Sequence, residues 1–140
     1  MRAKRAGRAQ RLEPEVRARL ARFFPGLDLD RIRVYEGIPW YVKGAPLAYA
    51  DRHRIYFQPG AYRPDSGEGL ALIAHELVHC WQYQRHGTWR FRARYLAAYF
   101  RNRLARMSDL EAYLNIPFEV EARSLEESIA ERAGPEGMRA

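Results

Sequence analysis

The stretch Leu72-Ile73-Ala74-His75-Glu76-Leu77-Val78-His79-Cys80-Trp81-Gln82 contains His-Glu-x-x-His within a run of helical periodicity. Histidines four residues apart lie on one face of a helix, so both imidazoles reach one cation. Zinc accepts imidazole nitrogen and carboxylate oxygen, and a catalytic zinc site keeps one position for water. Glu76, rotated by about 100° from His75, sits beside such a metal without ligating it, which is the place of a general base. With 4 histidines in 140 residues, chance yields this pattern in about one sequence in a hundred of the same composition. A buried histidine pair without a partner is costly, so metal ligation is the preferred reading.

The helix that carries the motif is predicted from about Glu68 to Arg85. Pro64-Asp65-Ser66-Gly67 supplies turn chemistry and an N-cap, and His86-Gly87 the stop. Leu70, Ile73, Leu77, Cys80, Trp81 and Gln84 form one face, read as core, with Leu72, His75, Glu76, His79 and Tyr83 opposite. With histidine neutral, Glu76 is the one charge between Leu70 and Gln84, so the helix is central and packed on most sides. Cys80 is the chain's 1 cysteine, which excludes an intramolecular disulfide. On the core side it reads as a buried thiol, not a nucleophile or ligand.

Outward from that helix, Leu47-Ala48-Tyr49-Ala50 and Arg54-Ile55-Tyr56-Phe57 flank Asp51-Arg52-His53 as a hairpin. Asp28 to Glu36 alternates as a strand, and Gly37 to Pro46 is a loop holding Trp40 and Tyr41. A first helix opens at Pro14 and stops at Pro25-Gly26, with Val16, Leu20 and Phe23 at helical spacing. A third helix spans about Trp89 to Met107. In it Trp89, Ala93, Leu96, Phe100, Leu104 and Met107 form one apolar line, and Arg90, Arg92, Arg94, Arg101, Arg103 and Arg106 occupy the other faces. The last helix runs from Pro117 to about Arg132 on Phe118, Ala122, Leu125 and Ile129. Its glutamates make it a partner for the arginine-rich helix.

A zinc site needs a third protein ligand. Gln82 and Arg85 occupy the positions where a metzincin carries Gly and His. His86 reads as a C-terminal cap, and His53 as an exposed turn residue. A glutamate from a later helix remains, and Asn115-Ile116-Pro117-Phe118-Glu119-Val120-Glu121-Ala122 offers Glu119 and Glu121.

From Ile32 to Gln84 the chain resembles the small HExxH domain found near bacterial extracellular contractile injection systems and polymorphic toxins. The resemblance rests on Ile55-Tyr56-Phe57-Gln58-Pro59-Gly60-Ala61-Tyr62, followed by Leu72 to Gln82 in the same order and spacing. It implies a gluzincin-type zinc metallopeptidase with Zn2+ as cofactor, His75 and His79 as metal ligands and Glu76 as the catalytic base. Phe118 to Ala122 is similar to the Glu-x-x-Ala-Asp helix of membrane-linked gluzincins. That places Glu119 on the third metal position, with Glu121 the alternative. The pattern departs at Arg123, where those families carry an acid that orients a ligand histidine. Tyr113, Tyr83 and Tyr99 are candidate oxyanion donors, none preferred, and Arg54 to Phe57 is the edge strand on which an extended peptide is held.

The expected fold is α+β, a minimal zincin-like domain with a small antiparallel sheet or meander on about four helices. Residues 1–12 form a basic arm, 13–133 the domain and 134–140 a tail. Hydrophobic residues at 47% and aromatics at 13% are globular composition. No apolar run approaches the roughly 20 residues of a membrane span, and no apolar stretch follows the basic start as in a signal peptide, so a cytoplasmic location is expected. The net charge is +7, and Lys4 and Lys43 are the only lysines. The expected function is peptide-bond hydrolysis on a peptide or protein substrate. The alternative is a zinc-stabilised binding module whose arginine-rich helix docks on a larger protein assembly, an acidic partner, an anionic membrane or, less favoured, nucleic acid.

Overall fold

Pro14 at the first helical position, Ser66 as an N-cap and the Arg52-His53 turn divide the chain where its composition suggests. The computed structural model describes residues 8–132. In order these are β1 (Gln10–Arg11), α1 (Pro14–Leu20), β2 (Arg33–Glu36), β3 (Ala48–Asp51), β4 (Arg54–Phe57), α2 (Gly67–His86), α3 (Thr88–Leu104), α4 (Asp109–Leu114) and α5 (Pro117–Arg132). Short 3-10 turns follow α1 at Ala21–Phe23 and precede β2 at Leu29–Arg31. The architecture is α+β, as expected.

The sheet differs from the expected antiparallel meander. Its order is β1-β2-β4-β3, with β2 and β4 parallel and the other pairs antiparallel. After β2 the chain crosses to the far side, lays down β3, and turns back through Arg52, whose φ is 60°. β4 thus drops into the gap. It is the most apolar strand, with Ile55, Tyr56 and Phe57 all buried, so the central place gives the largest burial. The expected edge strand is therefore central, and β3 lies at the edge, against α2.

Ile55 and Phe57 face inward onto α2, whose Ile73, Ala74 and Leu77 are fully buried. On its other side α2 packs more extensively on α5 than on any other element. The predicted core face of α2 holds through Cys80. Past it Gln84 is exposed and donates to the Gly26 carbonyl, while its neighbour Gln82 is buried.

Two further expectations are corrected. Residues 1–7 of the predicted arm lie outside the described residues, but Gln10 and Arg11 pair with Val34 and Arg33, and Leu12 is buried at 1% exposure. The hydrophobic contact of Leu12 with the α1 core outweighs the charge of the segment. In α3 the apolar line is not the buried side. Trp89, Leu96, Phe100 and Leu104 are 79%, 53%, 58% and 86% exposed, and Phe91 and Ala98 are the helix's buried residues. Gly87, at φ 81°, turns the chain so that Phe91, Tyr95, Ala98 and Asn102 face inward. Their polar groups find partners there, Asn102 donating to the Ala112 carbonyl of the unanticipated helix α4. Among the described residues no ion pair joins α3 to the glutamates of α5, and the α3 pair that forms is Arg92–Asp51 at 2.8 Å.

Truncating Leu12 to alanine is expected to lower stability by about 3 kcal/mol in urea titration. The exposed Arg11→Ala stays within about 0.5 kcal/mol. A frayed arm would make both silent.

Candidate metal centre

The site begins with local helix chemistry. Ser66 caps α2 by accepting a hydrogen bond from the Gly69 amide, 3.0 Å, which fixes the start of the helix and so the phase of its faces. One turn apart on the face toward α5, the His75 and His79 rings meet edge to face with centroids 5.1 Å apart. Helix α5 opens at Pro117 and puts Glu119 in its first turn, where the helix dipole favours a carboxylate. Ala122, fully buried one turn later, leaves room for α5 to close onto α2.

His75, His79 and Glu119 converge. One Glu119 oxygen lies 2.8 Å from His79 Nε2 and the other 3.4 Å from His75 Nε2. A ligand atom from each of the three lies within 4.8 Å of the others. Ligand atoms of a tetrahedral zinc with bonds of about 2.0–2.1 Å are themselves roughly 3.3 Å apart, so this donor set fits that ion. Glu121, the alternative, is not part of this cluster: the residue is exposed, and its Oε1 accepts from Gln82 Nε2.

The far ring nitrogens are also held. His75 Nδ1 is 2.9 Å from Glu126 Oε1, and His79 Nδ1 is 2.8 Å from Gln82 Oε1. Gln82 Nε2 donates in turn to the Phe118 carbonyl at 3.0 Å, which ties His79 to the turn that carries Glu119. Arg123, which interrupts the expected pattern, donates to the Leu114 carbonyl, and Glu126 one turn on takes the acid's place beside a histidine. Sequence reading missed both Gln82 and Glu126. Their signal was position, three residues after His79 and seven after Glu119, each on the inner side of its helix.

Tyrosines close the site from above. Tyr95 donates to Glu119 Oε1 at 3.2 Å, and Tyr113 lies near this carboxylate, which with burial raises its hydroxyl. Tyr113 was among the predicted donors, and Tyr95 was not. Tyr99 instead bonds to Asp109, and Tyr83 lies by Arg92. Phe91 stacks on Phe118, centroids 4.7 Å apart, and leans on His79. His53 and His86 stand apart, His53 among Arg31, Arg33, Arg52 and Arg54, and His86 against Phe118. Cys80 is buried, as predicted, and burial lifts its thiol well above the usual range.

Glu76 is buried beside this group, and among the described residues its carboxylate makes no side-chain hydrogen bond. Burial raises its pKa, against the pull of the two histidines. Burial also opposes charge on His75, but Glu119 and Glu126 outweigh it and push the imidazole up to about 10. His79 is raised in the same way, chiefly by Glu119. Glu119 is driven well below the carboxylate range, burial being outweighed by hydrogen bonds from both histidines.

An α+β domain with a His-Glu-x-x-His helix and a carboxylate delivered from a later helix is thus defined. The family model described as the eCIS core domain matches residues 11–87, more than half of the chain, and the chain belongs to that family, which is named for extracellular contractile injection systems. The match runs from Arg11 at the end of β1 through α2, with His75, Glu76 and His79, and ends before the helices that supply Glu119, Tyr95 and Glu126. No curated protein and no solved structure matches the chain.

Without metal, the raised histidines and Glu76 and the lowered Glu119 set a pH dependence of stability. His75 and His79 stabilise the fold fully below the ordinary histidine value of 6.5, and this is lost as pH rises, for His75 through about 10. The Glu76 burial penalty grows above its ordinary 4.5, in the same direction. Glu119 works oppositely, its stabilisation lost as pH falls below 4.5. Thermal melts of the chelator-treated chain are expected to peak between pH 4.5 and 6.5 and to fall steadily on the alkaline side. His75→Ala flattens that side.

Proposed function

We propose that this domain is a zinc-dependent metallopeptidase of an extracellular contractile injection system, acting on a peptide or protein segment of that assembly. The observation that carries the reading is the convergence of His75, His79 and Glu119 from two helices, with Glu76 unpaired beside them. A structural site has no use for that free carboxylate. A zinc ion held by His75, His79 and Glu119 would supply an activated water and a Lewis acid for the scissile carbonyl. Glu76 accepts a proton and passes it to the leaving amine, and its raised affinity for protons suits that task. Gln82 and Glu126 hold the imidazoles with Nε2 turned to the centre. The Tyr95 and Tyr113 hydroxyls, raised by burial and by Glu119, stay protonated and able to donate.

The edge strand β3 supports a place for the substrate. It packs against α2, its Asp51 is held by Arg92, and among the described residues no strand covers its outer side. An extended peptide added there runs beside the helix that bears Glu76.

Elemental analysis tests the metal and peptide cleavage the reaction. One zinc per chain is expected, lost in His79→Ala and in Glu119→Ala but kept in Glu76→Gln. Glu76→Gln should cut hydrolysis of a mixed peptide library by at least about a hundredfold. Zinc must displace the protons on both histidines, so the rise in melting temperature on adding zinc is expected to grow between pH 5.5 and 8. A wild-type chain that takes up no zinc after reconstitution would end this reading.

A further inference from the structure

Helix α3 has two faces of opposite character. At 100° per residue, the inward Phe91, Tyr95, Ala98 and Asn102 cluster on one side. Opposite them Trp89, Ala93, Leu96, Phe100 and Leu104 fall within an arc of about 80° that points to solvent. Arg90, Arg94 and Arg101 border one edge of that arc, and Arg92 and Arg103 the other. No acid occurs between Glu76 and Asp109. From Trp89 to Leu104 the apolar stripe is about 23 Å long, and the rest of the helix is anchored on the domain through Phe91, Tyr95 and Asn102.

We propose that α3 is an interfacial helix that docks the domain on an anionic phospholipid surface. Trp89, Leu96, Phe100 and Leu104 enter the boundary between headgroups and acyl chains, and Arg90, Arg94, Arg101 and Arg103 stay at the phosphates, while Arg92 remains on Asp51. Arginines on both edges carry the choice of partner. A lipid surface presents the same anionic plane to left and right of an inserted helix, with apolar material beneath its centre. A nucleic acid needs cations at the middle of the contact, where this helix has Leu96 and Phe100. Two copies meeting stripe to stripe bring arginine rows within the screening length of about 8 Å, and α3 has no acid of its own to neutralise them. The net charge of +7 adds long-range attraction to an anionic membrane. The arrangement is independent of the metal centre, which lies on the inner side of the same helix.

Co-sedimentation of the full chain with vesicles tests the proposal, with chelator present so that the metal reading does not enter. Phosphatidylcholine vesicles are compared with vesicles in which about a third of the lipid is phosphatidylglycerol. Binding is expected for the anionic vesicles only, weakening as salt rises toward about 0.5 M. In a chain with Trp40→Phe and Trp81→Phe, the emission of Trp89 should shift to shorter wavelength on binding. Leu96→Ser with Phe100→Ser is expected to weaken binding at least about tenfold. Trp89→Ser with Leu104→Ser does the same at the two ends of the stripe, should the first pair fail to fold. The proposal is overturned if anionic vesicles leave the chain in solution, or if both serine pairs fold and bind as the wild type does. It is equally overturned if sedimentation velocity shows stripe-dependent self-association, or a stripe-dependent complex with an acidic protein, while vesicles are ignored.

Discussion

A carboxylate shared by two imidazoles in the seam between α2 and α5 is the constraint on which the rest of the structure depends. Glu119 is buried, and burying an ionised carboxylate alone is too costly to survive. It is tolerated because each oxygen faces a histidine Nε2, because Tyr95 donates to it, and because it sits in the first turn of a helix. Those conditions position α5 along α2, they set which side of α3 turns inward, and they leave Gln82 within reach of both His79 and the Phe118 carbonyl. The hydrophobic contacts between the helices supply most of the stability. The polar cluster selects one register from those that Leu77, Ala122 and Ile129 alone would allow.

What was legible in the sequence was whatever local periodicity encodes. The motif helix, its Ser66 cap, the hairpin around Arg52-His53 and the proline-opened α5 all stand where the pattern puts them. The spacing left Glu119 and Glu121 both open, and it was the resemblance that favoured Glu119, the one found beside the histidine pair. The sheet order was not legible, because four-residue strands carry no record of their neighbours, and burial of Ile55 to Phe57 decides which strand is central. Leu12 was misread because one leucine among arginines carries little weight in a composition argument. In space it drops into the α1 core.

Helix α3 shows why the strongest amphipathic line need not be the packed one. Trp89, Leu96, Phe100 and Leu104 form the more apolar stripe, yet Phe91, Tyr95, Ala98 and Asn102 face the domain. The inner surface offered to α3 is not purely apolar. It contains the Glu119 carboxylate and the Ala112 carbonyl, both of which need donors. Tyrosine and asparagine supply such donors, and leucine and phenylalanine would supply none. The polar demand of the site thus exports the apolar stripe to the surface.

The family match ends at Gly87, before the helices that complete the cluster. Residues 11–87 build the sheet and α2, the part that sets the motif's phase, and they carry two of the three converging side chains. Gln82 on His79 lies within the match, and the other groups that close the cluster come from beyond it: Glu119 as the third member, Glu126 on His75 and Tyr95 on the carboxylate. An isolated 11–87 segment would expose the α5-facing side of α2, with His75 and His79 lacking the counter-charge that raises them. Helices α3 to α5 are therefore part of the centre itself, and α3 serves it with one face while presenting the other outward.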